Sequence, residues 1–295
     1  MPGDMRAKKV AAAPDLEPLD QDRISALPDA ILQYVLGFLP ADEAVKTCVH
    51  ARHWRHQWRS VRRLRINYDM PRITEVVAKF VNCLLLLRAP GMALDEFEVS
   101  NDFLGLCVWI PLEVVDVAAG RLSCLRILSQ SVKDLRIINS RFVNDIRACI
   151  SMPSLISLQL KNFRGKAPLL EFMPSLQTAF VKPANREKRD ACMKKRDSRH
   201  DYCGSCANCC GADDHRERCV LLGGLSNAVY LELIAYYGTF IFKRDLRWCP
   251  TFSKLKTLLL NEWCVAIDLS ALVCILEHSP VLEKLILQIS QVFFV

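Results

Sequence analysis

Long apolar runs and a secretory signal are both missing from this 295-residue sequence. Apolar runs such as CLLLL at Cys83–Leu87 are far shorter than the ~20 residues that a bilayer-spanning helix needs. Residues 1–20 are interrupted by Pro, Asp and Lys and hold no apolar segment beyond Val10–Ala13, which argues against a signal peptide. We therefore expect a soluble intracellular protein, in the cytoplasm, the nucleus or both.

A catalytic constellation is missing as well. The six histidines fall in the segment His50–His56, in a Cys-rich stretch and in the phrase LEHSP, without paired carboxylates or a nucleophile phrase around them. The sequence thus predicts a protein that is not an enzyme and needs no cofactor.

The sequence is rich in apolar residues and in cysteine, and its net charge is positive. Hydrophobic residues make up 51% of the chain, enough to bury a large core. Eight of the 14 cysteines are scattered singly through apolar segments such as ALVCILEHSP, which predicts reduced residues that behave as small hydrophobes in the core. The net charge of +7 comes from His50–Arg65 and Lys182–Arg199 and suits either an acidic protein partner or nucleic acid.

Three apolar phrases at helical spacing follow one another near the N-terminus. The first, LPDAILQYVLGFL, begins with Pro28 and Asp29, which suit a first helical turn, and ends at Pro40. The second runs from about Asp42 to Val49, and the third covers Ala51–Val61. The third places Trp54, Trp58 and Val61 on one stripe and four arginines on the other: Arg52, Arg55, Arg59 and Arg62. So short a segment with so much apolar surface suggests a binding partner.

The stretch DRISALPDAILQYVLGFLPADEAVKTCVHARHWRHQW resembles the F-box of plant F-box proteins with leucine-rich repeats, although HARHWRHQW departs from the usual Ser-Arg-Arg-Trp phrase. The resemblance implies docking on the Skp-type adaptor of a cullin ubiquitin ligase. The positions that would form or brace the adaptor-binding surface are Leu27, Pro28, Ile31, Leu32, Val35, Leu36, Trp54 and Trp58. For Leu36 and Trp54, a place in the core of a helical bundle is an equal alternative, whereas Leu27 and Pro28 at the start of the helix are expected to bind.

An internal repeat occupies the chain beyond residue 90. The phrase LxxLxL, with other apolar residues as substitutes, begins at Leu94, Leu112, Val132, Leu155, Leu176, Ala228, Leu255 and Leu282. Six of the seven intervals lie near the roughly 20–29 residues of a leucine-rich repeat. Phe163 and Trp263 stand at two positions where Asn or Cys is usual, so an asparagine ladder is not expected. A helix is expected near Leu269–His278.

Together these features predict an α/β fold, with an N-terminal three-helix F-box followed by an irregular leucine-rich-repeat solenoid shaped as a horseshoe. The predicted divisions are a disordered tail at 1–21, the F-box at 22–62, a linking helical segment at 63–90 and repeats at 91–295. Because the chain ends at QISQVFFV without the polar cap of a solenoid, and the family usually continues further, we expect a truncated or short product.

Alternate residues of successive repeat strands should lie side by side on a concave, substrate-binding face that starts acidic and becomes mixed or basic. Phe180 and Tyr230 are expected on neighbouring strands and are the predicted anchors, with packing beneath a loop as the alternative. The predicted substrate-binding residues are Glu96, Glu98, Arg136, Gln159, Lys161, Phe180, Tyr230 and Glu232.

The interval between Leu176 and Ala228 is 52 residues and holds an inserted basic loop at about 183–220 with six cysteines. Three interpretations stay open: a loop of reduced thiols, a zinc site, or an iron–sulfur cluster, for which the spacing is poor. We predict no metal, with Cys206, Cys209, His215 and Cys219 as the zinc ligands if one binds. The phrase REKRDACMKKR suits a solvated loop or a nuclear import signal.

The sequence therefore favours a non-catalytic substrate receptor of a ubiquitin ligase, with an unidentified protein substrate and no membrane partner. The alternative is a nucleic-acid-binding protein that uses the Arg-rich third segment and the Cys-rich loop.

Overall fold

The computed structural model describes residues 26–67, 74–100, 126–142, 147–184, 219–236, 239–265 and 269–289. Within them the α-helices are α1 (Asp29–Leu36), α2 (Ala41–Lys46), α3 (Thr74–Leu86), α4 (Leu222–Leu225), α5 (Phe240–Asp245) and α6 (Ser270–Glu277). The strands are β1 (Arg63–Asn67), β2 (Glu96–Ser100), β3 (Arg126–Leu128), β4 (Asp134–Ile138), β5 (Cys149–Ser151), β6 (Ser157–Phe163), β7 (Leu169–Glu171), β8 (Thr178–Pro183), β9 (Tyr230–Leu233), β10 (Thr257–Asn261) and β11 (Lys284–Gln288). The predicted α/β class is confirmed.

The N-terminal phrases fold as short helical segments bounded by prolines. Pro28 caps α1, and its carbonyl accepts hydrogen bonds from the N–H groups of Ile31 and Leu32 at 2.9 and 3.1 Å. Pro40 begins α2, as suits a residue that has no N–H to satisfy.

The third phrase, predicted as an α-helix, is instead a 3-10 helix over Arg52–Ser60. The side-chain amide of Gln57 lies 3.3 Å from the carbonyl of His53, the group that would accept the backbone N–H of residue 57 in an α-helix. Such side-chain competition for a backbone acceptor favours the tighter 3-10 turn.

Eight parallel strands form the main sheet, in the order β1-β2-β4-β6-β8-β9-β10-β11. Seven of the eight repeat phrases coincide with strands of this sheet, and the phrase at Leu112 lies outside the described residues. Burial alternates along β2, β4, β6, β8 and β9, whereas Leu258–Leu260 of β10 are all buried and β11 has no buried residue. In β4, Leu135 and Ile137 are buried while Asp134 and Arg136 face outward. The phrase thus behaves as a strand that turns its apolar side to the core.

A second parallel sheet has the order β3-β5-β7, so the chain alternates between the two sheets from β2 to β8. Ile127, Ile150 and Leu170, one from each strand of the smaller sheet, are buried. One continuous core runs from Leu36 in α1 to Ile275 in α6. The N-terminal helices and the sheet therefore share one hydrophobic core.

The segment 63–90, predicted as a helical link, is only partly helical. Helix α3 lies in it, but Arg63–Asn67 forms β1, whose register with β2 pairs Arg63 with Glu96. Leu64 and Ile66 are buried at 3% and 1% exposure while the arginines between them face outward, the period of two that a strand requires.

Strands β8 and β9 pair directly, with Thr178 opposite Tyr230, although a long segment of chain separates them. That segment therefore adds no strand between them. Its residues 185–218, which include the Cys-rich phrase and the basic REKRDACMKKR, lie outside the described residues, as do the predicted tail 1–21 and residues 290–295. Among the described residues, every helix is too short or too polar to cross a bilayer.

Hydrogen bonds between neighbouring repeats are made just after the strands, although no asparagine ladder was expected. Asn139 and Asn162 adopt positive φ, and the Asn162 amide donates to the Asn139 side-chain oxygen at 3.0 Å, so a two-residue asparagine pair is present. At the later position the Trp263 indole N–H donates to the carbonyl of Leu233 at 2.9 Å. The Asn261 side chain bridges the same two repeats, since it accepts from the Ala235 N–H at 2.9 Å and donates to the Ala235 carbonyl at 2.8 Å. Trp263 therefore adds a second hydrogen bond beside an asparagine bridge.

Candidate protein-interaction surfaces

Helix α1 carries an exposed apolar stripe, here called the α1 face. It consists of Leu27, Ile31, Tyr34, Val35 and Phe38, which are 37%, 47%, 66%, 46% and 46% exposed. Their spacing of three and four residues puts them on one side of the helix. The rings of Tyr34 and Phe38 meet edge to face with centroids 5.0 Å apart, so the stripe presents a contiguous surface.

The opposite side of α1 is fixed to the rest of the molecule. Leu32 and Leu36 are each 1% exposed. The Gln33 amide donates to the Gln57 side-chain oxygen at 2.9 Å, and a ring nitrogen of His53 lies 3.0 Å from the Asp29 carboxylate. These contacts join α1 to the 3-10 helix and hold the α1 face outward.

The eight residues predicted for adaptor binding therefore fall into two groups. Leu27, Pro28, Ile31 and Val35 are exposed, whereas Leu32, Leu36 and Trp58 are buried and Trp54 is half-buried against the core. The buried members support the α1 face from beneath. Tyr34 and Phe38 belong to the exposed group but were not predicted, although their places in the helical period could have revealed them.

The main sheet presents its outward residues in three rows, which together are called the open face. One row reads Arg63, Glu96, Asp134, Ser157, Thr178, Tyr230, Thr257 and Lys284. The next reads Arg65, Glu98, Arg136, Gln159, Phe180, Glu232, Leu259 and Ile286. In the third row, Ile138, Lys161 and Lys182 follow one another. The predicted alignment of successive repeats is confirmed by this register.

Ion pairs cover the N-terminal half of the open face. Arg63 donates to Glu96 at 2.6 Å, and Arg65 lies 3.4 Å from Glu98. Arg136 pairs with Asp134 at 3.0 Å. The predicted acidic start of the face is therefore offset by the arginines of β1, a strand that the repeat analysis missed.

The C-terminal half of the open face is aromatic and apolar. Phe180 and Tyr230 are half-buried and lie on the neighbouring strands β8 and β9, with Phe180 directly opposite Glu232. The Tyr230 hydroxyl donates to the Glu232 carboxylate at 3.3 Å, and burial, then Glu232, raises the pKa of Tyr230. Leu259 follows Glu232 in the same row but is buried at 7% exposure. These side chains form a ring-bearing surface with one carboxylate at its centre.

The end of the inserted loop is fastened by a buried carboxylate. Asp245 at the end of α5 accepts hydrogen bonds from the N–H groups of Val220, Leu221 and Leu222 at 2.9, 2.6 and 3.0 Å. The Arg244 guanidinium lies 3.0 Å from the same carboxylate. Burial raises the pKa of Asp245, and the three N–H donors and Arg244 oppose that rise. The chain therefore re-enters the fold at a fixed point.

Of the four alternative zinc ligands, Cys206, Cys209 and His215 lie outside the described residues. Cys219 is 9% exposed, and its thiol donates to the carbonyl of Trp248 at 2.6 Å. Burial, with the nearby Asp245 carboxylate, raises the pKa of the Cys219 thiol to about 12. Such a thiol stays protonated at neutral pH unless a metal displaces the proton, so the zinc set remains a prediction.

Sequence comparison finds relatives among plant proteins. An F-box/LRR-repeat protein of Arabidopsis thaliana is 42% identical over 112 residues, which are 38% of this chain and 22% of that protein. An F-box/FBD/LRR-repeat protein of the same plant is 43% identical over 84 residues, which are 28% of this chain and 17% of that protein. The rice MEIOTIC F-BOX protein MOF is 25% identical over a match that covers 90% of this chain and 70% of the rice protein. No family model matches the chain, and no solved structure matches it.

Proposed function

We propose that this chain, a relative of the plant F-box/LRR-repeat proteins, is the substrate-recognition subunit of an SCF-type ubiquitin ligase. In this proposal the N-terminal helices form the F-box and dock on a Skp-type adaptor bound to a cullin. The sheet-bearing part is a leucine-rich-repeat solenoid whose open face is concave and holds the target protein. The ubiquitin-transfer chemistry belongs to the partners, so the chain itself is not an enzyme.

The α1 face is the observation that carries this proposal. Five large apolar side chains on and beside one short helix stay between 37% and 66% exposed while the other side of that helix is anchored. A contiguous apolar surface held outward in this way is typical of a protein interface. Its position within the stretch that resembles an F-box makes the Skp-type adaptor the expected occupant.

The experiment is an adaptor pull-down with an α1-face variant. Ile31→Glu with Val35→Glu places two charges on the exposed stripe, where a change of side chain costs little folding energy but opposes burial against a partner. We expect loss of adaptor binding by at least tenfold, with an unchanged melting temperature. The matched control is Leu86→Glu, at an apolar α3 position that is 71% exposed and outside the α1 face.

Retention of adaptor binding by the folded Ile31→Glu/Val35→Glu protein would remove the α1 face as the docking surface. Equal loss in the Leu86→Glu control would point to a general effect of added charge. A second variant, Leu27→Ala with Pro28→Ala, tests the start of the same face without adding charge.

The open face supports the substrate-binding half of the proposal. Its N-terminal half is occupied by ion pairs, whereas the half around Phe180 and Tyr230 offers ring surface. We assign target recognition to that second half, with Glu232 as the polar group at its centre. A location in the cytoplasm, the nucleus or both belongs to the same proposal.

No observation on the described residues favours nucleic-acid binding. Two of the four arginines in the basic third stripe are engaged within the molecule: Arg62 pairs with Asp95 at 2.6 Å, and the Arg59 guanidinium lies 5.7 Å from the centre of the Trp58 ring. Arg52 and Arg55 are exposed.

A further inference from the structure

Two cysteines and a histidine that are scattered in the sequence meet near the C-terminal end of the fold. The ligand atoms of Cys249, Cys274 and His278 all lie within 4.8 Å of one another, and each side chain is half-buried. Cys274 lies in α6, and His278 is the first residue after that helix, four positions beyond Cys274. Cys249 follows the 3-10 helix Leu246–Trp248. The sequence predicted these cysteines only as core thiols.

One ring nitrogen of His278 is held by the backbone. Its Nδ1 lies 2.8 Å from the carbonyl oxygen of Cys274, and because a carbonyl only accepts, Nδ1 is the protonated nitrogen. With the proton on Nδ1, Nε2 is the nitrogen that can offer a lone pair to a metal. A backbone carbonyl that holds Nδ1–H in this way is the usual support of a metal-bound imidazole.

The two thiols are only loosely held by the protein. Cys274 Sγ is 3.6 Å from the carbonyl of Leu246, and Cys249 Sγ is 3.8 Å from the carbonyl of Pro250. Burial raises the pKa of Cys249, and the neighbouring Cys274 thiol raises it further. Both backbone contacts are long, so the two sulfurs can turn toward a cation that displaces their protons.

We propose that Cys249, Cys274 and His278 bind one Zn²⁺ ion. Two thiolates and an imidazole suit Zn²⁺, which takes sulfur at about 2.3 Å and nitrogen at about 2.0 Å in a tetrahedral arrangement. Two sulfurs on one zinc then stand about 3.8 Å apart. The 4.8 Å limit of the cluster thus leaves about 1 Å of closing movement. On binding, each thiol releases its proton to solvent and a water takes the fourth position.

Cys219 is a neighbouring thiol, but it is not needed as a ligand. It contributes to the raised pKa of Cys249, yet its own sulfur is buried and held by the carbonyls of Asp245 and Trp248 at 3.3 and 2.6 Å. The zinc would join α6 to the segment that precedes β10. It therefore fastens the last described helix to the body of the molecule, independently of adaptor or substrate binding.

The test measures zinc in the full chain purified without chelators, together with cobalt titration, in which thiolate ligands give a charge-transfer absorption band. We expect about one equivalent of tightly bound zinc in the wild type and a rise of melting temperature when zinc is restored after chelation. The variant Cys274→Ser with His278→Gln should lose both the metal and the cobalt band.

Two control variants separate this site from other thiols. Cys83→Ser changes an exposed cysteine on α3 and should keep the full equivalent. Cys206→Ser with Cys209→Ser changes the inserted loop and should also keep it. The proposal is overturned if zinc is below half an equivalent in the wild type, if the metal is lost with the loop variant and kept by Cys274→Ser/His278→Gln, or if Cys249 and Cys274 form a disulfide in place of binding metal.

Discussion

A single carboxylate, Asp245, organises the backbone where the inserted loop returns to the fold. The residue is fully buried, and four hydrogen-bond donors converge on its two oxygens. A buried charge is stable only when partners of this kind replace the lost water. Because three of the donors are backbone N–H groups, the chain trace at Val220–Leu222 depends on this side chain.

We expect Asp245→Asn to lower the free energy of unfolding by about 3–5 kcal/mol, because it removes the carboxylate charge that faces the buried Arg244 guanidinium and turns an amide toward the N–H donors. Urea unfolding measures the change. The control Glu283→Gln removes an exposed pair with Lys256 and should cost no more than about 1 kcal/mol. A cost below about 1 kcal/mol for Asp245→Asn would mean that the carboxylate does not hold the backbone there.

The sequence alone had no means of finding Asp245. Its backbone partners are 23 to 25 residues away along the chain, across no recognisable motif. The same holds for Cys249, which meets Cys274 and His278 only through folding. Buried leucines such as Leu135 and Leu158 can be recognised in the sequence because they recur at the spacing of the repeat phrase. A polar residue whose partners lie elsewhere has no period and is recognised only once the chain is folded.

At the scale of elements, the strands were predictable wherever the repeat phrase was complete. Strand β1 also carries that phrase, as Val61, Leu64 and Ile66, all of which are at most 3% exposed. Because its arginines suggested a basic surface, the alternation of apolar and polar residues in this segment was not recognised as a strand. The 3-10 helix Arg52–Ser60 was unpredictable for another reason, since a helical period of apolar residues does not separate α from 3-10 hydrogen bonding.

If β1 is a full member of the sheet, Ile66→Ala should lower the free energy of unfolding by about 2–4 kcal/mol, because the deleted atoms leave a cavity in the core. Arg65→Ala, at the adjacent open-face position, should cost about 1 kcal/mol or less. Thermal or urea unfolding of both variants compares the two sides of one strand. Similar small costs for both would identify the segment as a loosely attached link.

At the scale of the whole molecule, the open face changes character along the sheet. The rows predicted from the repeat phrase are those observed, since their alignment follows from parallel pairing. The balance of charge could not be predicted without β1, whose arginines pair with Glu96 and Glu98. Charged groups already paired have less to offer a partner than half-buried rings, so the aromatic half is the stronger binding region.

Replacement of Phe180 and Tyr230 by alanine should therefore weaken capture of the target at least tenfold and leave the melting temperature within a few degrees of the wild type, because both side chains are only half-buried. Adaptor-dependent affinity capture with the proteasome blocked identifies the target and measures its recovery. Ile156→Ala is the control, since this apolar side chain is 37% exposed but lies outside the rows of the open face. A lower melting temperature with undiminished capture would instead place Phe180 and Tyr230 among the residues that stabilise the sheet, and would leave the target to another surface.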